Sequence, residues 1–408
     1  MESTPLVIVE TEEALRAAIQ MMRGEPVLGV DTEADSMHHY REKVCLLQLS
    51  DRHRDYIVDP LAGFSLEPLA ELMAAKDVIK VFHGADYDVV SLKRDFGFQI
   101  RGIFDTMIAA QLIDRSRVGL ADICRGLFGF DMDKKYQTCD WSRRPLSSEQ
   151  LDYARGDTHF LLAIREHFER KLIRSDRLSI AEEEFALVEA REWTTRPDVE
   201  TAFLRIKRAS KLELHEKKVL RCLWEMRDAH ARKLDRPPYK VIPDPVLLKL
   251  AQVAPRNREA LGDVIRLKSS MSRRFGDSML SAIEQGRSDE RPLPQAVRRL
   301  QAGTRPRHGS RETERLVGKL KAWRSAVMDR DGVPLVMVLS NSQLKAIAGY
   351  RPVDLEEFQG MEELRDWQVA RYGTELLSLV VGFGEDLQAQ PKRKRKRTRK
   401  RSAPKAEL

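Results

Sequence analysis

The chain has 408 residues, of which 42% are hydrophobic and 33% charged, with a net charge of +8, so two to four packed domains are expected. It shows neither a basic N-terminal region followed by an apolar stretch nor any apolar run of about 18 residues, so we expect neither a signal peptide nor a membrane span. Its four cysteines are scattered and form no C-x-x-C pair, which argues against structural zinc and favours free thiols in a reducing, cytoplasmic interior.

The first 204 residues alternate apolar runs of strand length with amphipathic helical segments. Strands are predicted at residues 6–9, 27–31, 44–49, 56–58 and 78–82. Helices are predicted at residues 11–22, 68–75, 86–96, 106–112 and 119–127. A long helix is predicted to begin at Ser147, because Ser147 and Gln150 have capping-box spacing. Strands first, and then alternating strands and helices, indicate an α/β domain with a mixed sheet flanked by helices.

An internal repeat occupies the second half of the chain, where strand signals give way to helical periodicity. At a fixed offset of 97 residues, Leu247 corresponds to Leu344 and Phe275 to Tyr372, and the alignment needs no gap. A gap-free match of this length is not expected by chance. We therefore predict two copies of one small all-α domain, each of roughly 80 residues.

Charge is distributed unevenly over the predicted domains. We predict an α/β domain, a first helical copy, a linker, a second helical copy and a disordered basic tail at residues 1–204, 205–290, 291–309, 310–388 and 389–408. The net charge, counted as Lys and Arg minus Asp and Glu, is −11 for residues 1–204 and +9 for residues 205–291. It is −3 for residues 310–390 and +9 for residues 391–408. The acidic α/β domain would not hold a polyanion unaided. The basic first copy and tail make nucleic acid the expected partner.

The apolar segment Val27–Glu33 ends in two carboxylates, Asp31 and Glu33. Side chains two residues apart on a strand point to the same face, so these acids would lie side by side and repel each other. A divalent cation between them would remove that repulsion. A strand that ends in an ordinary polar turn is the alternative, because D-x-E occurs often by chance.

Three further candidates, Asp88, Tyr153 and Asp157, lie downstream. Asp86 and Asp88 stand two apart on a predicted helix, about 200° around its axis, so they cannot both face one site. Asp86 suits the helix cap, whereas Asp88 can face inward. Tyr153 and Asp157 are four apart and share a helical face. The alternative for Tyr153 is a half-buried core residue.

The combined pattern resembles the DEDD exonuclease superfamily, in its variant with a catalytic tyrosine. Three motifs carry the resemblance in the right order: Asp31-Thr-Glu33, His83-Gly-Ala-x-x-Asp88 and Tyr153-x-x-x-Asp157. The resemblance implies a ribonuclease-H-like fold, with Asp31, Glu33, Asp88 and Asp157 as metal ligands and catalytic residues and Tyr153 as the fifth catalytic residue. The repeated helical domains resemble the HRDC domain that ribonuclease D shares with certain helicases. One exonuclease domain followed by two such copies resembles the ribonuclease D family.

The implied activity is metal-dependent 3′→5′ exoribonuclease action on structured RNA precursors such as transfer RNA, releasing nucleoside 5′-monophosphates. Two divalent ions, Mg²⁺ or Mn²⁺, would activate water and stabilise the leaving oxygen, and hard cations prefer carboxylate oxygens. We expect a monomer without an obligate protein partner. One alternative is a DNA exonuclease with the same site. Another is a non-catalytic RNA-binding scaffold, against which the presence of all five site residues argues.

RNA contacts are expected on the first helical copy because of its +9 charge. The predicted contributors are Lys207, Arg208, Lys211, Lys217, Lys218, Arg273 and Arg274. The second copy is expected to pack against the rest of the protein and help to close a ring or channel around the substrate. Nearer the acids, His83 is expected to order the strand–helix junction, and Trp141 and Arg144 either touch substrate or pack as ordinary surface residues.

Overall fold

A computed structural model describes residues 4–113, 117–193, 201–265, 270–293, 311–333 and 335–389, without the side chains of residues 311, 336 and 386–389. The chain divides into two compact units, residues 1–305 and 306–408, and each is described by itself. The predicted linker from residue 294 and the predicted tail from residue 390 lie outside the described residues. The domain boundaries proposed from the sequence stay a prediction.

Six strands of the first unit form one mixed sheet in the spatial order β1-β4-β3-β2-β5-β6. They are β1 (Leu6–Val9), β2 (Val27–Ala34), β3 (Val44–Ser50), β4 (Asp55–Val58), β5 (Ile79–Phe82) and β6 (Ile103–Asp105). β3 runs antiparallel to both of its neighbours, whereas the β1–β4, β2–β5 and β5–β6 pairs are parallel. Every residue of β3 is buried, as expected for a central strand covered on both faces. The predicted mixed sheet is confirmed.

Eight helices of the described residues accompany this sheet. They are α1 (Glu12–Met22), α2 (Ala70–Ala74), α3 (Asp86–Phe96), α4 (Thr106–Leu112), α5 (Leu120–Phe128), α6 (Ser148–His159), α7 (Leu161–Arg174) and α8 (Leu178–Glu189). The predicted capping box is present, because Ser147 Oγ accepts from the Gln150 amide and Gln150 Oε1 from the Ser147 amide. The single long helix predicted from Ser147 is instead two helices that meet at Phe160.

The first helical domain packs on the nuclease-like part of the same unit. Its helices are α9 (Leu214–Leu234), α10 (Pro238–Val241), α11 (Asp244–Val253), α12 (Arg258–Gly262) and α13 (Ser270–Arg287). The loop that follows β2 makes the contact: Tyr40 Oη donates to both oxygens of Asp228 at 2.9 Å, and His39 Nδ1 lies 2.6 Å from Asp235 Oδ2. Hydrogen bonds therefore hold the loop that follows β2, and hence the end of the strand that carries Glu33, against α9.

The second unit repeats the first helical domain helix by helix. It contains α14 (Arg311–Asp331), α15 (Leu335–Val338), α16 (Asn341–Tyr350), α17 (Leu355–Gln359) and α18 (Asp366–Ala389). The first four begin and end 97 residues after α9 to α12. Buried contacts repeat too: Arg227 donates to Ile242 O and Asp244, and Arg324 donates to Leu339 O and Asn341. The offset read from the sequence is the offset of the structure.

All four cysteines are free thiols, and three of them are buried. Among the helices that the structure describes, none is long and apolar enough to cross a membrane.

Candidate active site

Asp31 and Glu33 lie on β2, which continues beyond the predicted strand end to Ala34. The register of β2 pairs Asp31 with Gln48 and Glu33 with Leu46 of antiparallel β3, and it shifts after Glu33. Both carboxylates therefore belong to regular strand and share a face, as the alternation predicts. Neither carboxylate lies in a polar turn at the end of the strand, which was the alternative interpretation.

Asp157 joins them from α6. Single carboxylate oxygens of Asp31, Glu33 and Asp157 all lie within 4.8 Å of one another. The approach of α6 to the sheet is close at Gly29, where an added Cβ would lie 2.9 Å from the Thr158 carbonyl oxygen. A residue without a Cβ, two positions before Asp31, thus allows the backbone beside Asp157 to reach β2.

Asp88 lies in the first turn of α3 with only 7% of its surface exposed. Its carboxylate accepts a hydrogen bond of 2.5 Å from Thr32 Oγ1, on the strand between Asp31 and Glu33. Asp86 has a different position from the one predicted. It does not cap α3, and its exposed carboxylate pairs with Arg191 at 3.0 Å, whereas the amides of Gly84 and Ala85, just before the helix, donate to Asp105.

Burial and mutual repulsion act together on the four acids. Burial, followed by repulsion from Asp88, Asp157 and Glu33, raises the pKa of Asp31 well above its ordinary value. Burial and the neighbouring acids raise the pKa of Glu33 to about 9, and burial with Asp88 raises that of Asp157 to about 7. Burial raises the pKa of Asp88 to about 6, against the hydrogen bond from Thr32. Only a cation would let all four ionise together near neutral pH.

Tyr153 projects from α6 into the same region. Its ring packs against Trp141, with centroids 5.9 Å apart, and against the edge of Tyr136 at 6.2 Å. Burial, followed by repulsion from Asp157, Glu33 and Asp31, raises the pKa of Tyr153 above its ordinary value. The hydroxyl therefore stays protonated at neutral pH, beside the carboxylates.

These side chains line a cavity of about 390 Å³ that opens to solvent. Its lining comprises Asp31, Glu33, His83, Met107, Gly119, Leu120, Ala121, Met132, Asp133, Lys134, Gln137, Tyr153 and Asp157. Lys134 is the one Lys or Arg among these lining residues, and it is exposed. Lys134 is not among the site residues predicted from the sequence. The signal available in the sequence was a positively charged residue in the loop before the helix that carries Tyr153.

Trp141 and Arg144 are packing residues rather than substrate contacts. Trp141 is 1% exposed and supports the Tyr153 ring. Arg144 forms two hydrogen bonds to Asp59, of 2.5 and 2.7 Å, and donates to the Cys45 carbonyl. Both therefore position the loop that precedes α6.

The predicted RNA contacts fall into two groups. Lys207, Arg208, Lys211, Arg273 and Arg274 are exposed on the first helical domain. Lys217 is 4% exposed and bonds to Leu212 O, and the half-buried Lys218 donates to Asp289 O at 2.6 Å. The ammonium groups of these two lysines bond to carbonyls of the domain itself, which makes them weaker candidates for phosphate than the five exposed residues, and the RNA contacts stay a prediction.

Two family models match the chain. A model described as 3′-5′ exonuclease matches residues 6–173, and the model of the HRDC domain matches residues 216–283 and again 313–380. The two HRDC matches are offset by 97 residues, like the helices. The family models thus cover the sheet domain with its acids and both helical copies.

Several known proteins resemble the chain. Ribonuclease D of Gluconacetobacter diazotrophicus is 30% identical over 92% of this chain and 93% of its own length. The crystal structure of the catalytic core of RRP6 from Trypanosoma brucei has a TM-score of 0.61 at 28% identity, covering 71% of this chain and 82% of that one. Escherichia coli RNase D has a TM-score of 0.68 at 22% identity, covering 92% and 98%, and this likeness concerns the fold alone.

Proposed function

Because the chain belongs to the ribonuclease D family and is a 3′→5′ exoribonuclease, we propose that it trims the 3′ ends of structured RNA precursors, transfer RNA among them. Each cycle would release a nucleoside 5′-monophosphate. The observation that carries the proposal is the half-buried cluster of three carboxylates within 4.8 Å, on strand and helix, beside a tyrosine and an open cavity. The free thiols fit the expected cytoplasmic location.

The family uses divalent metal ions, and the donor set fits them. Asp31, Glu33 and Asp157 offer hard oxygen ligands, which Mg²⁺ and Mn²⁺ prefer. Asp88, whose carboxylate bonds to Thr32 between Asp31 and Glu33, would complete the set of acids that holds the two ions. The bound ions would supply Lewis-acid activation of the attacking water and stabilise charge on the leaving 3′-oxygen.

Protein groups would position the reactants around that centre. Tyr153, protonated at neutral pH, would hold the attacking water through its hydroxyl, and Trp141 and Tyr136 keep its ring in place. Thr32 fixes Asp88 by its hydrogen bond. Lys134 would attract a substrate phosphate to a cavity whose other charged lining residues are acids.

The test is digestion of end-labelled precursor transfer RNA and of matched single-stranded RNA and DNA, with product lengths resolved. Wild-type protein with Mg²⁺ or Mn²⁺ should shorten RNA stepwise from the 3′ end, and chelation should stop it. Asp31→Asn removes an anionic ligand at constant volume and should leave less than ~1% of the turnover. Normal turnover by Asp31→Asn contradicts the assigned site. Equal digestion of DNA and RNA favours the DNA exonuclease.

A further inference from the structure

His83 lines the same cavity as the carboxylates and Tyr153, but none of the roles above uses it. It stands at the end of β5, where Gly84 adopts a positive φ of 80° and the chain turns into α3. Its Nε2 atom is buried and has no hydrogen-bond partner among the described residues. A buried polar atom without a partner is uncommon and calls for an explanation.

The hydrogen bonds on the other side of the ring determine its tautomer. Thr106 Oγ1 donates its single proton to the Phe82 carbonyl oxygen at 2.9 Å. The 2.9 Å contact between His83 Nδ1 and the same hydroxyl therefore requires Nδ1 to be the donor. Burial also lowers the pKa of His83 to about 4, so the imidazole is neutral. Nε2 consequently carries a lone pair and acts as an acceptor.

An acceptor here complements a donor on the substrate. Asp31, Glu33 and Asp157 would hold cations in the proposed function, Lys134 can only donate, and Met107 and Leu120 are apolar. Asp133 and Gln137 also line the cavity but are exposed, so Nε2 of His83 is the buried neutral acceptor. An RNA end offers a donor that DNA lacks, the ribose 2′-hydroxyl. The 3′-hydroxyl is common to both kinds of end, so a contact to it would not favour RNA.

We propose that Nε2 of His83 accepts a hydrogen bond from the 2′-hydroxyl of the 3′-terminal nucleotide and thereby selects RNA over DNA. The inference rests on the proposed function and adds a specificity-determining residue to it. Thr106 is a positioning residue, because its hydroxyl holds the ring in the tautomer that leaves Nε2 free to accept. A 2′-deoxy terminus would leave the buried lone pair unpaired, which is the source of the selectivity.

The first test uses the wild-type protein and RNAs that differ only in the 3′-terminal residue: ribo, 2′-deoxy, 2′-fluoro or 3′-deoxy. The 2′-fluoro residue keeps the sugar pucker of RNA but cannot donate. Removal of the ribo residue should exceed removal of the 2′-deoxy and 2′-fluoro residues by ~10–100-fold in kcat/KM. Equal removal of the ribo and 2′-deoxy residues overturns the proposal, and so does a loss confined to the 3′-deoxy residue.

The second test uses a matched pair of variants. In His83→Asn the amide can replace Nδ1 toward Thr106 but leaves nothing at the Nε2 position, so the ribo-to-2′-deoxy ratio should fall to within ~3-fold of unity. In His83→Gln the amide reaches the Nε2 position and should restore part of the ratio. His53→Asn, an exposed histidine with 67% of its side chain accessible, is the control and should keep the wild-type ratio.

A ratio unchanged in His83→Asn overturns the proposal, because a merely structural histidine would slow all four substrates equally. Failure of the proposed function looks different, since no RNA would then be shortened in Mg²⁺ or Mn²⁺ whatever its terminal sugar. If His83→Asn does not fold, the wild-type comparison of ribo with 2′-fluoro termini still decides the question.

Discussion

Two aspartates on one turn of α3 show how much local surroundings matter. Asp88 is buried and bonded to Thr32, whereas Asp86 has 56% of its side chain exposed and pairs with Arg191. The functional difference between them stays a prediction. Asp86 should be dispensable because it belongs to a surface ion pair, which contributes about 0–1 kcal/mol, and not to the helix cap that the sequence predicted.

Asp88→Asn should therefore lower RNA hydrolysis to the level of Asp31→Asn, whereas Asp86→Asn should stay within ~2-fold of wild type. Steady-state digestion in Mg²⁺ measures both, and circular dichroism checks that both variants are folded. A dead Asp86→Asn beside an active Asp88→Asn would show that the wrong aspartate had been assigned.

Tyr153→Phe keeps the ring that packs on Trp141 and removes only the hydroxyl. We expect the single-turnover rate to fall ~10²–10⁴-fold with little change in RNA affinity, as for a group that acts on the attacking water. Tyr239→Phe, on an exposed tyrosine of the first helical domain, is the control. An unchanged rate would make Tyr153 a core residue.

The raised carboxyl pKa values predict how the metal-free protein responds to pH. Glu33, Asp157 and Asp88, at about 9, 7 and 6, stay protonated in the folded protein at pH values where the unfolded chain has lost those protons. Folding then takes up protons, so the free energy of unfolding falls as pH rises between about 4 and 9, by up to ~1.4 kcal/mol per pH unit for each proton.

Thermal unfolding in a chelator at about pH 6 and about pH 8 tests this, and the melting temperature should be lower at the higher pH. Asp31→Asn should weaken the dependence of the melting temperature on pH, because it removes one repelling charge from the cluster. A melting temperature that rises with pH would contradict the assigned repulsion. Added Mg²⁺ should stabilise wild type more at the higher pH.

At the scale of elements, the site depends on how closely α6 approaches β2. Asp31 and Glu33 come from the strand and Asp157 from the helix, and Gly29 lies where the two backbones nearly touch. The helix break at Phe160 lets α6 pack on β2, β3 and β4 while α7 packs on β2 and β5. Strand and helix together, rather than either alone, therefore set the spacing between the carboxylates.

Gly29→Ala should test that spacing. Its Cβ would lie 2.9 Å from the Thr158 carbonyl oxygen, so α6 must shift, at a cost of about 1–3 kcal/mol, and move Asp157 away from Asp31. We expect a lower melting temperature and a weaker apparent affinity for Mg²⁺ in the hydrolysis assay. Gly318→Ala in helix α14, where the added methyl meets nothing within 4 Å, is the control and should be stabilising. Unchanged Mg²⁺ affinity in Gly29→Ala would refute the spacer role.

Across the whole molecule, the domain with the acidic site is negatively charged and the first helical domain is positively charged. The first 204 residues carry −11 and residues 205–291 carry +9, so the first helical domain is the better candidate for holding RNA phosphates. The second copy has the same helices but a charge of −3 over residues 310–390. Its predicted part in a ring or channel stays a prediction, as does the tail's contribution to binding.

Reversing Arg273 and Arg274 to Glu should raise the apparent KM for RNA and flatten its salt dependence, while single-turnover cleavage at saturation stays near wild type. Both side chains are exposed, whereas Lys217 is buried. The matched control is Arg315→Glu, on an exposed position of the second copy. Equal salt slopes for all three proteins would leave the helical domains as spacers.

Local periodicity explains what could be predicted from the sequence by itself. The alternation along β2 predicted that Asp31 and Glu33 share a face, and the four-residue spacing predicted the same for Tyr153 and Asp157, because both rules need only neighbouring residues. The 97-residue repeat could be recognised in the sequence for a similar reason, since each copy builds its own core. The mixed sheet followed from the order of strands and helices.

Only the tertiary structure decided what lies opposite each side chain. The partner of Asp88 is 56 residues away at Thr32, and Asp86, the predicted cap of α3, pairs with Arg191 instead. Lys217 looked like a phosphate contact by charge, yet its helix turns it into the domain core. Burial and hydrogen-bond partners depend on contacts between distant segments, and a sequence pattern reports only the face that a residue occupies.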